Sequence, residues 1–424
     1  MNFPVFIARR YLFAKKTHNV INVISYISVV GVAIGTLALV VILSVANGYD
    51  SLTKKMYSIF NPDLKISVVE GKTFIPDSAT FAKIKTIKGV LGYSEVLEEN
   101  TLISYSHGAS SIRESKTQTI AIMKGVDDDY ESVSGITKKR ITDDSDYSFI
   151  VMGEFKLQHS YIPQTVMGIG VAQTLGVNLA SITPLQVWIP KRGVKVSMTN
   201  SMDAMSVDNI YPSGVFSIEQ AFDNNYFFVP IDFARSLLNY TNEVSSIEVK
   251  IDSTANVNAI QKEIKTILGN DFDVKNRYQQ NETLYKMLSS EKYAIYVILV
   301  FIITLFSFNI IGLISMLIVD KKKDIKTFKV LGCDDSTIQK IFHYQGCMIA
   351  IGGAIIGLVL GILLCLAQQY FKIIKLPNMF IIDAYPVEIQ IGDILLILAF
   401  VFVAGLVMAR LPIWYLSKKM KEII

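Results

Sequence analysis

Residues 320–342 read DKKKDIKTFKVLGCDDSTIQKIF, and they lie between two long apolar runs. This stretch contains six lysines and four aspartates, yet Ile325, Phe328 and Leu331 recur at helical spacing. We therefore predict a charged, amphipathic helix over 320–340 that connects two membrane-spanning helices. A helix in this position is suited to being bound by a soluble partner whose motion it passes into the membrane.

The composition excludes an ordinary soluble protein and argues against nucleic-acid binding. Of the 424 residues, 51% are hydrophobic and only 18% are charged. The net charge of +4 is small, and lysines and arginines cluster at the borders of the apolar runs, so no nucleic-acid partner is expected. The first apolar run is too long for a signal peptide and lacks a small-residue cleavage site. We expect it to remain as an anchor.

A topology with four transmembrane helices follows from the apolar runs. Each run is long enough to cross the hydrocarbon core of a bilayer, about 30 Å thick. Four basic residues and no acidic residue precede the first run, so the positive-inside rule places both termini and the charged helix in the cytoplasm. The predicted segments are an interfacial helix at 1–20, spans at 21–46, 293–319, 341–369 and 391–411, an extracytoplasmic domain with stalk helices at 47–292, an outer loop at 370–390 and a tail at 412–424.

The extracytoplasmic domain is predicted to be α+β. Apolar residues alternate over 64–69 and 247–251, as in strands, and a helical pattern and a further strand follow each of them. These two β-α-β units bracket an insertion at about 130–242, which turn residues divide into short, mostly β segments. We therefore expect two lobes.

The insertion also contains candidate docking residues. Methionine suits adaptable apolar contacts, although an ordinary loop would be equally consistent with the pattern. The candidates are Met198, Met202, Met205 and Pro212.

Glycines at four-residue spacing predict close helix packing in the membrane. Gly31 and Gly35 form one G-x-x-x-G step in the first span, a pattern that also arises by chance. Gly353, Gly357 and Gly361 form two consecutive steps in the third span. The second set is the stronger indication of a packed face, because small residues let helix backbones approach closely.

Motifs for catalysis, metal binding or nucleotide binding are missing or incomplete. The four histidines are far apart, and none has the spacing of a known metal-binding motif. Gly71-Lys72-Thr73 resembles the end of a phosphate loop, but Ile66 stands where that loop requires its first glycine. The spans lack charged residues near their centres, which ion-coupled transporters usually need. We therefore expect no cofactor on this chain and an energy source on another polypeptide.

Several segments resemble FtsX-like ABC permeases, most closely those of the LolC/LolE lipoprotein-releasing type. The resemblance rests on residues 319–346 and on FIARRYL at 6–12, GVAIG at 31–35 and LSVANGY at 43–49. The C-terminal stretch LPIWYL at 411–416 departs from the family's usual Tyr-Pro-Ala-type turn.

The resemblance implies a four-span inner-membrane protein of a Gram-negative bacterium with a MacB-like periplasmic domain. It would pair with a second permease copy or paralogue and bind a LolD-like cytoplasmic ATPase dimer, which uses ATP and Mg. Its cargo would be a lipoprotein, taken from membrane lipids and passed to a LolA-like periplasmic chaperone. The residues implied in coupling to the ATPase are Lys323, Asp324, Ile325, Phe328, Lys329, Leu331, Gly332, Ile338 and Phe342.

Apolar faces of the first two spans could form walls around the acyl chains of such a cargo. Ordinary membrane lipid is the alternative neighbour of these positions. The candidates are Val29, Leu39, Leu43, Tyr293, Tyr296 and Phe301.

Two other functions are compatible with parts of this pattern. A MacB-like permease for efflux or envelope signalling would share the architecture, although a MacB chain carries its own ATPase domain. A membrane-anchored receptor without any ATPase is the second alternative. The charged segment at 320–340 argues against a receptor, because a passive anchor does not need it.

Overall fold

The structure, a computed structural model, describes residues 3–13, 20–106, 116–137, 149–159, 162–192, 204–375 and 384–420. The chain divides into two compact units. The helical unit comprises Met1–Leu52 and Lys286–Ile424, and the sheet unit comprises Thr53–Tyr285.

Helices form most of the described part of the helical unit and connect the strands of the sheet unit. They are α1 Phe3–Phe13, α2 Val20–Phe60, α3 Ser78–Lys85, α4 Tyr130–Val133, α5 Ile169–Leu175, α6 Gln220–Asp223, α7 Ile231–Leu238, α8 Val257–Leu268, α9 Arg277–Gln280, α10 Glu282–Asp320, α11 Lys322–Val330, α12 Asp335–Phe371 and α13 Ile391–Met420.

All strands among the described residues lie in the sheet unit. They are β1 Leu64–Val68, β2 Val90–Ser106, β3 Lys116–Val126, β4 Ile150–Gly153, β5 Gln158–His159, β6 Ile162–Gly168, β7 Leu185–Pro190, β8 Met205–Phe216, β9 Tyr226–Pro230, β10 Ser246–Ile251 and β11 Phe272–Asn276.

Within the described residues, four helices are long and apolar enough to cross a membrane. They are Tyr26–Phe60 of α2, all of α10 and α12, and Ile391–Arg410 of α13. The prediction of four spanning helices together with a domain of mixed helices and strands is confirmed. Helix α2 continues without a break past the end of the predicted first span and ends at Phe60, just before Asn61-Pro62.

The sheet unit is organised around β2, which takes part in two arrangements. Its first half pairs antiparallel with β10, and the sheet continues through β1 to β11. Helices α3 and α8 cover this part with Phe81, Ile84, Ile260 and Ile264, which are buried in the main hydrophobic cluster. The strands of both predicted β-α-β units therefore lie side by side, in the order β11-β1-β10-β2.

The second half of β2 belongs to a closed ring of six strands, β2-β3-β9-β6-β8-β7, in which β7 pairs again with β2. Alternate side chains of these strands, such as Ile103, Met123 and Val187, belong to the main hydrophobic cluster. The intervening side chains point to the other side of the wall, because successive residues of a strand face opposite ways. Strands β6 to β9 of the ring lie within the predicted insertion, which is therefore joined to β2 and β3 by main-chain hydrogen bonds.

Candidate coupling site and helix bundle

Helix α11 is the structural counterpart of the charged stretch at 320–342. Its apolar side anchors it to the bundle: Ile325 is buried and Phe328 partly buried in the cluster that contains Ile338 and Phe342. Gly332 follows the helix with φ +84°, a left-handed conformation that glycine adopts without strain and that commonly ends helices. The Gly332 N–H donates to the carbonyl of Lys329 at 2.9 Å, which closes the turn before α12.

Helix α1 contacts α11 through one polar and one aromatic pair. The Tyr11 hydroxyl donates to Asp324 Oδ2 at 2.9 Å, and the Phe3 and Phe328 rings meet edge to face at 6.3 Å. Lys321 completes the polar contact, since its Nζ lies 3.9 Å from Asp324 Oδ2 and 5.2 Å from the centre of the Tyr11 ring. Burial and the neighbouring Asp324 carboxylate raise the pKa of Tyr11, so this hydroxyl stays protonated and donating at physiological pH.

The C-terminal end of α11 exposes apolar side chains. Val330 is 88% exposed and Leu331 is 76% exposed. Lys323 and Gly332 are also exposed, whereas Lys329 forms an ion pair of 3.0 Å with Asp335 at the start of α12. An apolar tip with a basic surround is typical of a contact surface for another protein.

The residues implied in coupling thus fall into two groups. Ile325, Ile338 and Phe342 are buried and hold α11 on the bundle, while Lys323, Leu331 and Gly332 face outward. Sequence reasoning missed Val330. The available signal was its position directly before the Leu-Gly pair, where a helix that ends in a turn exposes its last side chains.

The glycines of α12 contact α2 directly. A Cβ atom added at Gly353 would lie 2.7 Å from Val32 Cβ, and one added at Gly361 would lie 2.9 Å from Val40 Cβ. Gly357 lies against the carbonyl oxygen of Ala33. The G-x-x-x-G face of the third span therefore packs on the first span.

The glycines of α2 face a different helix. A Cβ added at Gly31 would meet Asn309 Nδ2 at 3.4 Å, and Gly35 lies against the ring of Phe306, both on α10. The Ser28 hydroxyl donates to Asn309 Oδ1 at 2.8 Å on the same interface. Helix α2 is thus held between α12 and α10 by two sets of small residues.

A polar cluster connects α2, α10 and α13. Asn47 is buried, its Nδ2 donates to Asp393 Oδ2 at 2.5 Å, and its Oδ1 accepts from Lys292 Nζ at 3.3 Å. Sequence reasoning did not bring these three residues together, because Asn47, Lys292 and Asp393 are far apart in the chain.

An apolar cavity of about 290 Å³ lies among α2, α10 and α13. Two of the predicted acyl-chain residues, Leu39 and Tyr296, line it, as do Leu299, Val300, Ile303, Leu396, Ile397 and Phe400. Of the other predicted wall residues, Leu43 is buried elsewhere, Val29 packs beside Gly353, and Tyr293 and Phe301 are exposed.

Two of the predicted docking residues, Met205 and Pro212, lie in β8. Met198 and Met202 lie outside the described residues. Met205 begins β8 opposite Pro190, and Pro212 pairs with Thr165 of β6.

Next to Met205, an apolar row crosses four strands of the ring on its outer side. It comprises Ile120 of β3, Leu102 of β2, Trp188 of β7 and Val207 of β8, which are successive register partners. Ile120 is 69% exposed, and the Trp188 indole nitrogen is buried without a hydrogen-bond partner in the part of the chain that the structure describes. We call these four residues the outer apolar row.

Two family models match the chain. The model of the MacB-like periplasmic core domain matches residues 25–267, which is more than half of the chain, and the model of the FtsX-like permease C-terminal region matches residues 296–420. The chain therefore belongs to the family of FtsX-like permeases with a MacB-like periplasmic core domain.

Curated relatives identify the type of permease within this family. The lipoprotein-releasing system transmembrane protein LolC of Neisseria meningitidis is 24% identical over 96% of both chains, and LolE of Haemophilus influenzae is 23% identical over 97% of this chain and 96% of its own. LolC of Buchnera aphidicola is 25% identical over 98% of this chain and 96% of its own. The chain is a LolC/LolE-type permease, as the resemblance predicted. It is accordingly an inner-membrane protein whose sheet unit is a periplasmic domain.

A solved structure, the periplasmic region of MacB from Actinobacillus actinomycetemcomitans, aligns with 55% of this chain and 98% of its own. The identity is 11% and the TM-score 0.34, and a likeness of this size carries no conclusion.

Proposed function

We propose that this chain is the permease subunit of an ABC transporter that extracts lipoproteins from the outer leaflet of the inner membrane and passes them to a periplasmic chaperone. A separate cytoplasmic ATPase, a LolD-like dimer, drives the extraction. The observation that carries the proposal is the exposed apolar tip of α11, Val330 and Leu331, on a permease whose relatives are named for lipoprotein release.

The tip of α11 is the contact for the ATPase. Two large apolar side chains at one helix end gain the most from burial in a partner's groove, and Lys323 and Lys326 beside them favour an acidic rim. Basic residues before the first span favour a cytoplasmic position for α11 and for both termini. ATP and Mg are bound by the ATPase, and this chain itself binds no cofactor.

The apolar cavity among α2, α10 and α13 accepts an acyl chain of the cargo. Moving one methylene group out of a bilayer costs about 0.8 kcal/mol, so a triacylated protein does not leave spontaneously. A site for such chains requires apolar walls and no catalytic group, and the lining from Leu39 to Phe400 has this composition. A second permease copy or paralogue completes the path between the spans.

The outer apolar row is the surface for the periplasmic chaperone. It lies on the six-stranded ring of β2, β3 and the insertion strands β6 to β9, which we propose acts as one lobe, with the four-stranded β11-β1-β10-β2 part as the other. The indole N–H of Trp188 is buried without a hydrogen-bond partner in the described residues, and a desolvated tryptophan is a common centre of protein interfaces.

The test is a pair of charge substitutions at the tip of α11. Val330→Asp and Leu331→Asp are expected to abolish co-purification of the ATPase and the ATP-dependent transfer of a lipoprotein from proteoliposomes to the soluble chaperone. Val69→Asp, which alters an equally apolar exposed residue of the sheet unit, is the matched control.

Two outcomes would contradict the proposal. If both tip variants still co-purify with the ATPase and still transfer lipoprotein, the tip of α11 is not the contact for the ATPase. A wild-type complex that hydrolyses ATP but transfers no lipoprotein, while it exports a small molecule or peptide, would favour the MacB-like alternative.

A further inference from the structure

A buried charge cluster lies in the sheet unit, outside every site described above. Lys124 of β3 is 1% exposed, and its Nζ lies 2.7 Å from Glu248 Oε1 and 3.6 Å from Glu98 Oε1. Lys65 Nζ forms an ion pair of 3.0 Å with Glu98 Oε2. The cluster therefore contains two cations and two carboxylates, whose charges cancel. Burial lowers the pKa of Lys124, but Glu248 and Glu98 raise it well above its usual range, and the ammonium is charged at physiological pH.

This lysine is the exception among the apolar residues of its face of β3 over positions 120–126. On the same face of β3, Ile120, Ile122 and Val126 are its neighbours at two-residue spacing. A buried ion pair is usually no more stabilising than apolar side chains of the same volume. A net gain in stability is therefore a weak explanation for Lys124.

The ammonium of Lys124 contacts the end of the first span's helix. Its Nζ lies 4.7 Å from the ring centre of Phe60, the last residue of α2, and 5.1 Å from that of Tyr130. A cation over an aromatic face is held by the ring's electron-rich surface, and this attraction is stronger when the pair is desolvated. Phe60 also stacks on Phe222 at 4.0 Å and meets Tyr226 edge to face at 4.7 Å.

The backbone at the end of α2 is fixed by a second cation. Arg277 Nη2 donates to the Ser58 carbonyl at 3.2 Å and Nε donates to the Asn61 carbonyl at 3.4 Å, and the guanidinium pairs with Asp63 at 3.0 Å. Side-chain cations at a helix C-terminus satisfy its free carbonyls and its partial negative charge. Arg277 thus holds the backbone of α2, and Lys124 holds its terminal side chain on the sheet.

We propose that Lys124 is a positioning residue for transport: it seats Phe60 on β3 and thereby transmits displacement of α2 into the periplasmic sheet. This rests on the proposed function, in which ATP-driven motion enters through α11. Helix α2 is continuous to Phe60, so its last side chain is where a shift of the helix reaches β3. The ion pairs of Lys124 with Glu248 and Glu98 fix the position of its ammonium group, and therefore the orientation of the Phe60 ring on β3. A purely apolar contact would allow the ring to shift.

The experiment uses the complete complex with its ATPase in lipid nanodiscs. Lys124→Met leaves two buried carboxylates with one cation and is liable to unfold the domain, so the informative variant is Lys124→Met combined with Glu248→Gln. Lys72→Met is the matched control, because Lys72 makes an exposed ion pair of 3.3 Å with Glu99, also on β2. Amide hydrogen exchange is measured with and without ATP and Mg over residues 53–60 and 116–126, together with lipoprotein released per ATP hydrolysed.

In the wild type and in Lys72→Met, ATP is expected to change exchange in both segments. In the double variant, the change in 53–60 persists, the change in 116–126 disappears, and release per ATP falls roughly tenfold, within the usual range of coupling energies between sites. Transmission to 116–126 that is unaltered in the double variant would overturn the proposal, as would a wild type that shows no change there.

The hydrogen-exchange measurement requires no cargo. The proposed function and the proposed role of Lys124 can therefore be refuted independently of each other. A wild-type complex that releases no lipoprotein but shows this exchange pattern refutes the proposed function and retains the role of Lys124. Normal release together with normal exchange in the double variant refutes the role of Lys124 and retains the function.

Discussion

The Tyr11 hydroxyl donates a hydrogen bond of 2.9 Å to the Asp324 carboxylate, although 313 positions separate the two residues in the chain. It joins the first helix of the protein to the helix that we propose as the ATPase contact. The orientation of α11 on the bundle therefore depends on α1 as well as on its own buried residues.

Tyr11→Phe removes this bond and keeps the ring. A hydrogen bond to a charged group contributes about 1.5–3 kcal/mol, so we expect lower thermal stability in detergent and less ATPase retained on purification. Tyr370→Phe, at an exposed position of α12, is the control and should change neither quantity. Unchanged ATPase retention by Tyr11→Phe would mean that α11 keeps its orientation without α1.

Gly357→Ala tests the contact between α12 and α2. The added methyl group would meet the Ala33 carbonyl and lie 2.8 Å from Thr36 Cβ, so the helices must separate. Overpacking of this kind costs about 1–3 kcal/mol, which a thermal unfolding curve in detergent would register. Gly352→Ala, with no atom within 4 Å of the added Cβ, should be neutral or slightly stabilising. Equal melting temperatures for both variants would contradict the packing.

Ile120→Glu places a charge in the outer apolar row. We expect weaker binding of the chaperone and slower cargo transfer, with ATP hydrolysis unchanged, because the substitution lies far along the chain from the span segments. Ile182→Glu alters another exposed isoleucine of the sheet unit and serves as the control in the same binding titration. If both variants bind the chaperone as the wild type does, the surface lies elsewhere.

Val300→Trp tests the apolar cavity. Val300 lines the cavity on α10, and the larger side chain fills part of its 290 Å³. We expect less lipoprotein released per ATP and an intact complex with the ATPase. Val297→Trp, one helical turn away and largely exposed, controls for the added bulk. Equal release by the two variants would indicate that acyl chains do not enter here.

Asp223 predicts a pH dependence of stability. Burial raises the pKa of its carboxyl from 3.8 to about 6, although the Ile218 N–H and the Ser217 hydroxyl donate to it. Between these two values the folded state binds a proton that the unfolded state has lost, so stability falls as the pH rises through this window.

Asp223→Asn removes this dependence. At pH 7 the variant should be more stable than the wild type by about 1–3 kcal/mol, since one pKa unit corresponds to about 1.4 kcal/mol. The free energies of unfolding of the two proteins should converge below pH 4. Denaturant unfolding at pH 4, 5.5 and 7 would show this, with Asp128→Asn as the exposed control. A wild type that gains stability from pH 4 to 7 relative to the variant would contradict it.

The four spanning helices could be predicted because length and hydrophobicity are local properties of the sequence. The glycine pattern indicated a packed face on α12 but not that its partner is α2, since partner choice depends on the arrangement of the whole bundle. The outer apolar row could not be predicted either. Ile120, Leu102 and Trp188 become neighbours only through the register of strands that are distant in sequence.

Lys124 was the residue least accessible to sequence reasoning. Its partner Glu248 is 124 positions away, and a lysine within an alternating strand is ordinarily read as a solvent-facing residue. The coupling helix was predicted from its charge and spacing. Val330 was missed although its position directly before the Leu-Gly pair was an available signal.

The first and last strands of the sheet unit, β1 and β11, pair along their whole length, from Leu64 with Asn276 to Val68 with Phe272. The chain therefore enters and leaves this unit at one place. A module with adjacent ends can be inserted between two helices of another protein without disturbing either host or guest. Evolution could thus have grafted periplasmic units of different sizes and specificities onto one membrane scaffold, and the same exchange is open to protein engineering.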